Sequence, residues 1–391
     1  MKRSWKKIPG VLLIGLVFIF SLAFQEVSDN KLGEIYPILD KNCSVSGCHQ
    51  GNYPPKGMNL ERENFLDSVL NVPSQEIPSL NLVDTENPEE SYLLMKIKGN
   101  PNIKGTIMPA YSPPLSSDDI QIIQDWIYSL KGKEIKKKLR KKKEVKKPIF
   151  WGTRIVNLPT NRSIGKNQWL FRISHRFFPS VKQGYDVFYG LDGPASVLIS
   201  MGYGLTDNLN LTLARANVSK EFESSLGWNI LNEGKIKGLP LSVAAGASIN
   251  FITLSVPKKS VFRWQNLRYN LHTSLAFRAN DSLSLLLVPG YTFNTDPSDP
   301  SSQGTFYLGT GGRVMIWDNF SLLVEWIPVL SGYQNTAWGW GLGGELKVGG
   351  HVFQLFAVNT TGIVTSQFVP GGDLQLSKGD FRLGFNIFRW F

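Results

Sequence analysis

A chain of 391 residues has room for two or three domains, and its 19% charged residues, 37 glycines and 11 tryptophans are unusual for a soluble enzyme. That balance suits an antiparallel barrel whose outer face meets lipid. The formal charge of +11 does not imply a nucleic-acid-binding surface, because it is local: residues 131–147 hold eleven Lys/Arg against two Glu, and Lys2, Arg3, Lys6 and Lys7 add a second basic patch.

The basic start is followed by an uncharged apolar run, Val11 to Phe24, and by small residues at Ser21-Leu22-Ala23. This is the layout of a signal peptide over residues 1–23, cleaved near Ala23. The run is too short to span a bilayer as a helix, and no later run is long enough. Residues 24–130 read as a small helical, loop-rich domain. Glu34 to Leu39 suits a short first helix. Asp118 to Leu130 is a clear one: Ser116 or Ser117 can cap it, Asp118 and Asp119 suit its positive end, and Ile120, Ile123, Trp126, Ile127 and Leu130 recur at helical spacing. Residues 131–148 form a basic linker with too few apolar residues for a core. Such a segment is either solvated or in contact with anionic lipid head groups.

The two cysteines of the chain stand in Cys43-Ser-Val-Ser-Gly-Cys48-His49. Two thiols followed at once by histidine are the pattern of covalent haem attachment, with Cys43 and Cys48 as thioether sites and His49 as the proximal iron ligand. The usual gap between the cysteines is two residues; here it is four. No other histidine precedes residue 175, so a sixth ligand within this domain must be of another type. Met58, Met95 and Met108 are the thioether candidates. Met95 lies in an apolar helical face and reads as core. Met108 precedes Pro109 in a loop just before the last helix, and is the expected distal ligand. A disulfide between Cys43 and Cys48 is the competing reading for an exported protein. Zinc fits poorly, since two Cys and one His leave a ligand missing.

From Trp151 to Phe391 the pattern changes to period two. Trp169, Phe171 and Ile173 alternate with Leu170, Arg172 and Ser174. Similar rows run through Leu209–Leu213, Tyr269–Phe277, Leu283–Leu287, Phe320–Trp326 and Trp338–Leu342. Alternation puts one face of each strand in an apolar setting, and several rows begin or end in aromatics, as an interfacial girdle requires. Short turns such as Leu205-Thr206-Asp207-Asn208 and Asp318-Asn319 alternate with long Gly/Pro/Ser/Asn loops. This predicts an antiparallel transmembrane β-barrel of about 12 strands over residues 149–391, ending on Phe391 as an outer-membrane assembly signal would. Arg172, His175 and Arg176 are candidate lumen residues, with ordinary polar filling of the interior as their simplest role. No nucleophile elbow, phosphate loop or metalloprotease motif is present, and Glu89-Glu90 and Asp118-Asp119 suit helix starts and solvent.

The sequence around Tyr36-Pro-Ile-Leu39, Gly47-Cys-His49, Pro88-Glu-Glu-Ser-Tyr-Leu93, Met108-Pro109 and Ile120–Ile127 resembles planctomycete-type and related class I monohaem cytochrome c domains, over roughly residues 33–131. The resemblance implies Cys43, Cys48, His49 and Met108 in the roles given above, around one covalent haem c. Trp151 to Asn157, Phe171 to Phe177 and Tyr185-Asp186 with Gly190-Leu-Asp192 resemble an uncharacterised family of outer-membrane barrels, which carries no activity to transfer.

The expectation is a non-enzymatic electron carrier. It is a small all-α cytochrome c-like domain in the periplasm, anchored by an outer-membrane barrel, cycling one electron with a periplasmic donor or acceptor. Its other partners would be outer-membrane lipid and the barrel assembly machinery, with no nucleic acid. The alternatives are a transport or scaffold barrel with a haem sensor or docking module, and a structural disulfide module on a barrel. Peroxidase activity is less favoured, because a His/Met haem has no open position for peroxide.

Overall fold

Among the described residues of the computed structural model, twelve long strands and one short one follow residue 168. The structure describes residues 29–45, 48–50, 54–110, 112–133, 148–236, 239–255, 260–296 and 304–391. The expected signal peptide and most of the basic linker lie outside these residues. One compact unit comprises the described residues of 1–37 and 70–139; the other comprises those of 38–69 and 140–391.

The strands are β1 (Trp169–Phe177), β2 (Ala195–Gly204), β3 (Leu209–Ala216), β4 (Glu221–Leu231), β5 (Leu241–Ile252), β6 (Leu267–Arg278), β7 (Leu283–Phe293), β8 (Gly304–Trp317), β9 (Phe320–Ile327), β10 (Val329–Ser331), β11 (Gly339–Val348), β12 (His351–Val358) and β13 (Arg382–Trp390). The pairing is antiparallel throughout, and β1 pairs with β13, so the sheet closes on itself. The short β10 continues β9 beyond Pro328 and stays on β8, so the closed wall has twelve staves. Closure removes every edge, which leaves no backbone donors or acceptors facing lipid.

With an even number of staves, the first and last strands meet at one rim. There Trp169 N–H donates to Phe391 O at 3.2 Å, and Phe391 N–H donates back at 3.0 Å. The turns on this rim are mostly tight, at 205–208, 279–282, 318–319 and 349–350. The opposite rim carries the long connections 178–194, 253–266 and 359–381. This asymmetry is the habit of outer-membrane barrels.

The polarity of the wall is inverted relative to a soluble protein. Leu271 is 58% exposed and Leu355 63%, while Arg176 and Arg313 are 1% exposed. Period-two alternation sends apolar residues such as Leu271 and Leu355 outward, and Arg, Glu, Asn and Ser inward together with an apolar inner patch that includes Leu286, Val288 and Leu323. Water cannot reward that arrangement; a hydrocarbon bath can. The same alternation corrects one expectation. Arg172 and Arg176 face the interior, but His175 is one residue out of step and faces outward, with its ring stacked on Phe385 at 4.9 Å and near Phe177 at 4.5 Å.

Helices precede the barrel. α1 spans Asp29–Asn42, longer at both ends than the expected Glu34–Leu39. α2 spans Phe65–Val69, α3 Tyr92–Lys98 and α4 Ser117–Ser129. The N-cap of α4 is Ser116, whose Oγ accepts the Asp119 N–H at 3.1 Å, and Ile123, Trp126 and Ile127 form its buried face. In α3, Tyr92, Leu93, Leu94 and Ile97 are buried, whereas Met95, expected in the core, is only half-buried. Lys96 is buried and pairs with Glu76 at 3.0 Å. No helix among the described residues is long and apolar enough to cross a membrane.

Candidate functional site

The interior of the barrel is filled by its own chain. Residues 148–164, between the linker and β1, turn into the lumen as a hairpin. Thr160 N–H donates to Thr153 O at 3.0 Å, Arg154 bridges Pro159, and Ile155 N–H donates to Leu158 O at 3.1 Å across the tip. Ile149, Phe150, Ile155, Val156 and Leu158 are buried against inner-wall side chains that include Leu286, Val288, Leu323, Phe356 and Val358.

The wall has sockets for this hairpin. A Cβ on Gly309 would lie 2.4 Å from Leu158 Cδ2, and one on Gly311 would lie 2.3 Å from Ile155 Cδ1. On β11, a Cβ on Gly341 would lie 3.0 Å from Val156 Cγ1. Glycine permits the close approach of hairpin and strand at these positions.

A hairpin tip buried away from water must still satisfy its backbone polar groups. The wall supplies the partners. The Glu325 carboxylate accepts the N–H groups of Asn157 at 2.8 Å and Leu158 at 3.0 Å, and the Asn157 side-chain amide at 2.7 Å. Arg176 donates to Asn157 Oδ1 at 2.8 Å and to Val156 O at 3.2 Å. Asn386 donates to Val156 O at 2.9 Å, Gln354 to Arg154 O at 3.0 Å and Ser274 to Pro159 O at 2.9 Å. Five strands therefore hold one turn.

The long connection between β12 and β13 folds in from the opposite rim. It carries a short helix, α5 (Thr365–Phe368), and buries Ile363, Val364, Phe368 and Val369; the last two join the same apolar cluster as the hairpin. Ser366 Oγ donates to Glu221 at 2.8 Å, and Gln367 donates to the same carboxylate at 2.9 Å. Its far arm is held by a two-pronged contact of Arg382 with Asp373, at 2.8 and 2.7 Å. Hairpin and loop thus meet in one apolar cluster inside the barrel.

The predicted haem-type residues occupy a different place. At the end of α1, Cys43 N–H and Ser44 N–H both donate to Leu39 O, at 2.8 and 2.7 Å. The loop then closes, with His49 N–H donating to Cys43 O at 3.0 Å and Cys48 N–H to Val45 O at 2.9 Å. The structure thus brings Cys43, Cys48 and His49 together. Both thiols are free rather than joined in a disulfide. Burial, and then the neighbouring Cys48, push the Cys43 thiol up to about 12. His49 is buried, with Nδ1 3.0 Å from Met58 O. A neutral imidazole that donates from Nδ1 carries its lone pair on Nε2, the nitrogen a metal would take. Met58 contributes its carbonyl to His49. Met108 is half-buried on the loop before α4, its N–H donating to Lys96 O at 3.0 Å, and belongs to the other compact unit.

Sequence reasoning missed the hairpin. Trp151 to Asn157 was legible only as the start of the barrel region. The available signal was an apolar, turn-forming segment placed before the first regular alternation.

Among solved structures, the chain is similar to a NanC porin, with 10% identity, a TM-score of 0.36 and coverage of 56% of this chain and 97% of the other. It is similar to an outer membrane channel from Pseudomonas putida F1, with 12% identity, a TM-score of 0.36 and coverage of 61% and 98%. It is also similar to outer membrane phospholipase A from Escherichia coli, with 13% identity, a TM-score of 0.34 and coverage of 57% and 90%. No curated protein matches its sequence. Residues 150–391 match a family model described as a membrane bound beta barrel domain (DUF5777), a span that takes in both the hairpin and all of the wall. Through that match over well more than half of its length, the chain belongs to the DUF5777 family of membrane-bound β-barrels.

Proposed function

We propose that this protein is a gated channel of the outer membrane, closed by its own hairpin, with the Cys43–His49 segment as a haem-bearing sensor or docking module on the periplasmic side. The observation that carries the proposal is the nature of the closure. The plug is a separate segment that donates to Glu325 and accepts from Arg176, Asn386, Gln354 and Ser274. Water can replace each of these contacts when the hairpin leaves. Beside an apolar patch of Leu286, Val288 and Leu323, the wall behind it carries inward Arg, Glu, Asn and Gln side chains that an aqueous path can use. A barrel serving only as an anchor can fill its interior with wall side chains and has no need of a removable insert.

Planar-bilayer conductance tests the gate. The intact protein should be quiet, and a variant lacking residues 150–160 should conduct. Equal conductance of the two would end the gate reading.

A second reading keeps the barrel as an anchor and makes the N-terminal part an electron-transfer cytochrome. The loop that brings Cys43 and Cys48 beside His49, whose Nδ1 meets the Met58 carbonyl, favours it. Cys43 and Cys48 would hold the haem, with His49 on the iron. The group would supply one-electron chemistry toward a periplasmic donor or acceptor. Conductance that changes with redox poise supports a sensor; a quiet protein that exchanges electrons with periplasmic carriers supports the cytochrome. Neither reading gives the protein an enzymatic role.

A further inference from the structure

Glu325, on β9, is 1% exposed. Among the described residues, every hydrogen bond that its carboxylate accepts comes from the hairpin. The donors are the N–H groups of Val156, Asn157 and Leu158, at 3.4, 2.8 and 3.0 Å, and the Asn157 side-chain amide at 2.7 Å. Arg176, on β1 and equally buried, donates to Asn157 Oδ1 at 2.8 Å. The Asn157 carboxamide therefore stands between a fixed anion and a fixed cation, its nitrogen toward Glu325 and its oxygen toward Arg176. Arg176 also donates to Asn386 Oδ1 on β13 at 3.2 Å, a wall contact that does not depend on the hairpin. An apolar socket adjoins the pair. A Cβ on Gly311 would lie 2.3 Å from Ile155 Cδ1 and 3.6 Å from Glu325 Cβ.

A carboxylate whose donors all belong to a removable insert serves whatever stands in the lumen. The solute that best replaces the Asn157 carboxamide is cationic at one end and anionic at the other. In an α-amino acid, the ammonium nitrogen and a carboxylate oxygen are one carbon farther apart than the nitrogen and oxygen of a carboxamide. Both contacts would then join full charges, and would be stronger than those of the neutral amide. Arginine's forked donors also suit a carboxylate in particular. An acid or an amine alone satisfies one partner and leaves the other unpaired, which is how polar sites reject incomplete ligands. The space that Ile155 fills beside Glu325 takes an aliphatic side chain once the hairpin is out.

We infer that Glu325 and Arg176 form a clamp for zwitterionic α-amino acids with aliphatic side chains, which take the place of the Asn157 carboxamide when the hairpin leaves. Glu325 takes the ammonium, Arg176 the carboxylate and the Gly311 socket the side chain. Hairpin tip and solute compete for the same two groups, so the solute favours the open state. The inference rests on the gate reading and names the solute class that the gate would serve. A hairpin-deleted protein that is impermeable removes gate and clamp together. One that is permeable but passes amino acids no faster than neutral solutes removes the clamp and leaves the gate.

The test is swelling of proteoliposomes carrying the variant that lacks residues 150–160, with L-valine against erythritol, a neutral solute of similar size. Valine flux is expected to saturate and to exceed erythritol flux by about fivefold or more. That ratio should fall to near unity in Glu325→Gln and in Arg176→Gln made in the same background. A ratio near unity before either substitution, or a ratio unchanged by both, overturns the clamp. Should the deletion variant fail to assemble, the full-length protein decides in planar bilayers. Valine should raise its open fraction above that in an equimolar mixture of acetate and methylammonium, which carries the same two charges on separate molecules. Equal open fractions in the two solutions overturn the clamp.

Discussion

Glu325 and Asn157 are 168 residues apart in sequence, yet the Glu325 carboxylate takes both the backbone N–H and the side-chain amide of Asn157, at 2.8 and 2.7 Å. One wall side chain therefore anchors the tip of the hairpin that fills the lumen. Hydrogen bonds to a charged acceptor are stronger than neutral ones, and a buried N–H left without a partner is penalised.

Glu325→Ala should loosen the plug first. Removal of the carboxylate strands the Asn157 and Leu158 N–H groups, at a cost of about 3–5 kcal/mol to the closed state. Single-channel recording should show opening events absent from the wild type. An unchanged quiet trace with unchanged unfolding would contradict the anchor role.

Gly309→Ala should act through Leu158. The added Cβ would meet Leu158 Cδ2 at 2.4 Å, and overpacking of this kind costs about 1–3 kcal/mol. Combining it with Leu158→Ala should recover a good part of that loss, because the second change empties the space the first one needs. A double-mutant cycle by urea unfolding measures the coupling. Simple additivity would show that the socket is not filled by this side chain.

Leu271→Arg tests the lipid-facing wall. In water, a change at a residue 58% exposed would be nearly neutral. In a bilayer, an arginine at mid-depth costs about 2–4 kcal/mol. Reversible unfolding from lipid vesicles reads the difference, and a loss of a few tenths of a kcal/mol would argue against lipid contact there.

The thiol of Cys43 should be slow to alkylate in the haem-free protein. Its shift from 9.0 to about 12 keeps it protonated well beyond neutral pH. That leaves roughly a thousandfold less thiolate at pH 8 than in the unfolded chain. Iodoacetamide labelling followed by mass spectrometry should show a sharp increase at Cys43 on adding denaturant, and in the folded state only as the pH climbs toward 12. Equal rates in folded and unfolded protein would show that the thiol is not buried.

Haem attachment has a direct readout. Expression with a c-type haem maturation system should yield a haem-stained band that survives denaturing electrophoresis, lost in the Cys43→Ser, Cys48→Ser double variant. An unstained wild-type band would eliminate the haem module, and a stain unaffected by loss of both thiols would eliminate covalent attachment.

The sequence by itself determined the wall. Alternation, turn residues and strand length are local properties, so Trp169–Phe177, Leu283–Phe293 and their neighbours announce an inside-out barrel of about twelve staves without reference to one another. The capped helix Ser117–Ser129 was legible for the same reason. Local pattern also singled out Cys43, Cys48 and His49, but not the Met58 carbonyl that orients the imidazole. Only the tertiary structure decided what fills the wall. The segment 153–160 shows itself in the sequence as apolar and turn-forming, which does not say where it packs. Its burial exists because Glu325, Arg176, Asn386 and Gln354 arrive from strands distant in sequence, and because glycines at 309 and 311 leave room for Leu158 and Ile155. Whether the lumen is open or closed is a property of contacts between remote residues, and periodicity along the chain carries no record of them.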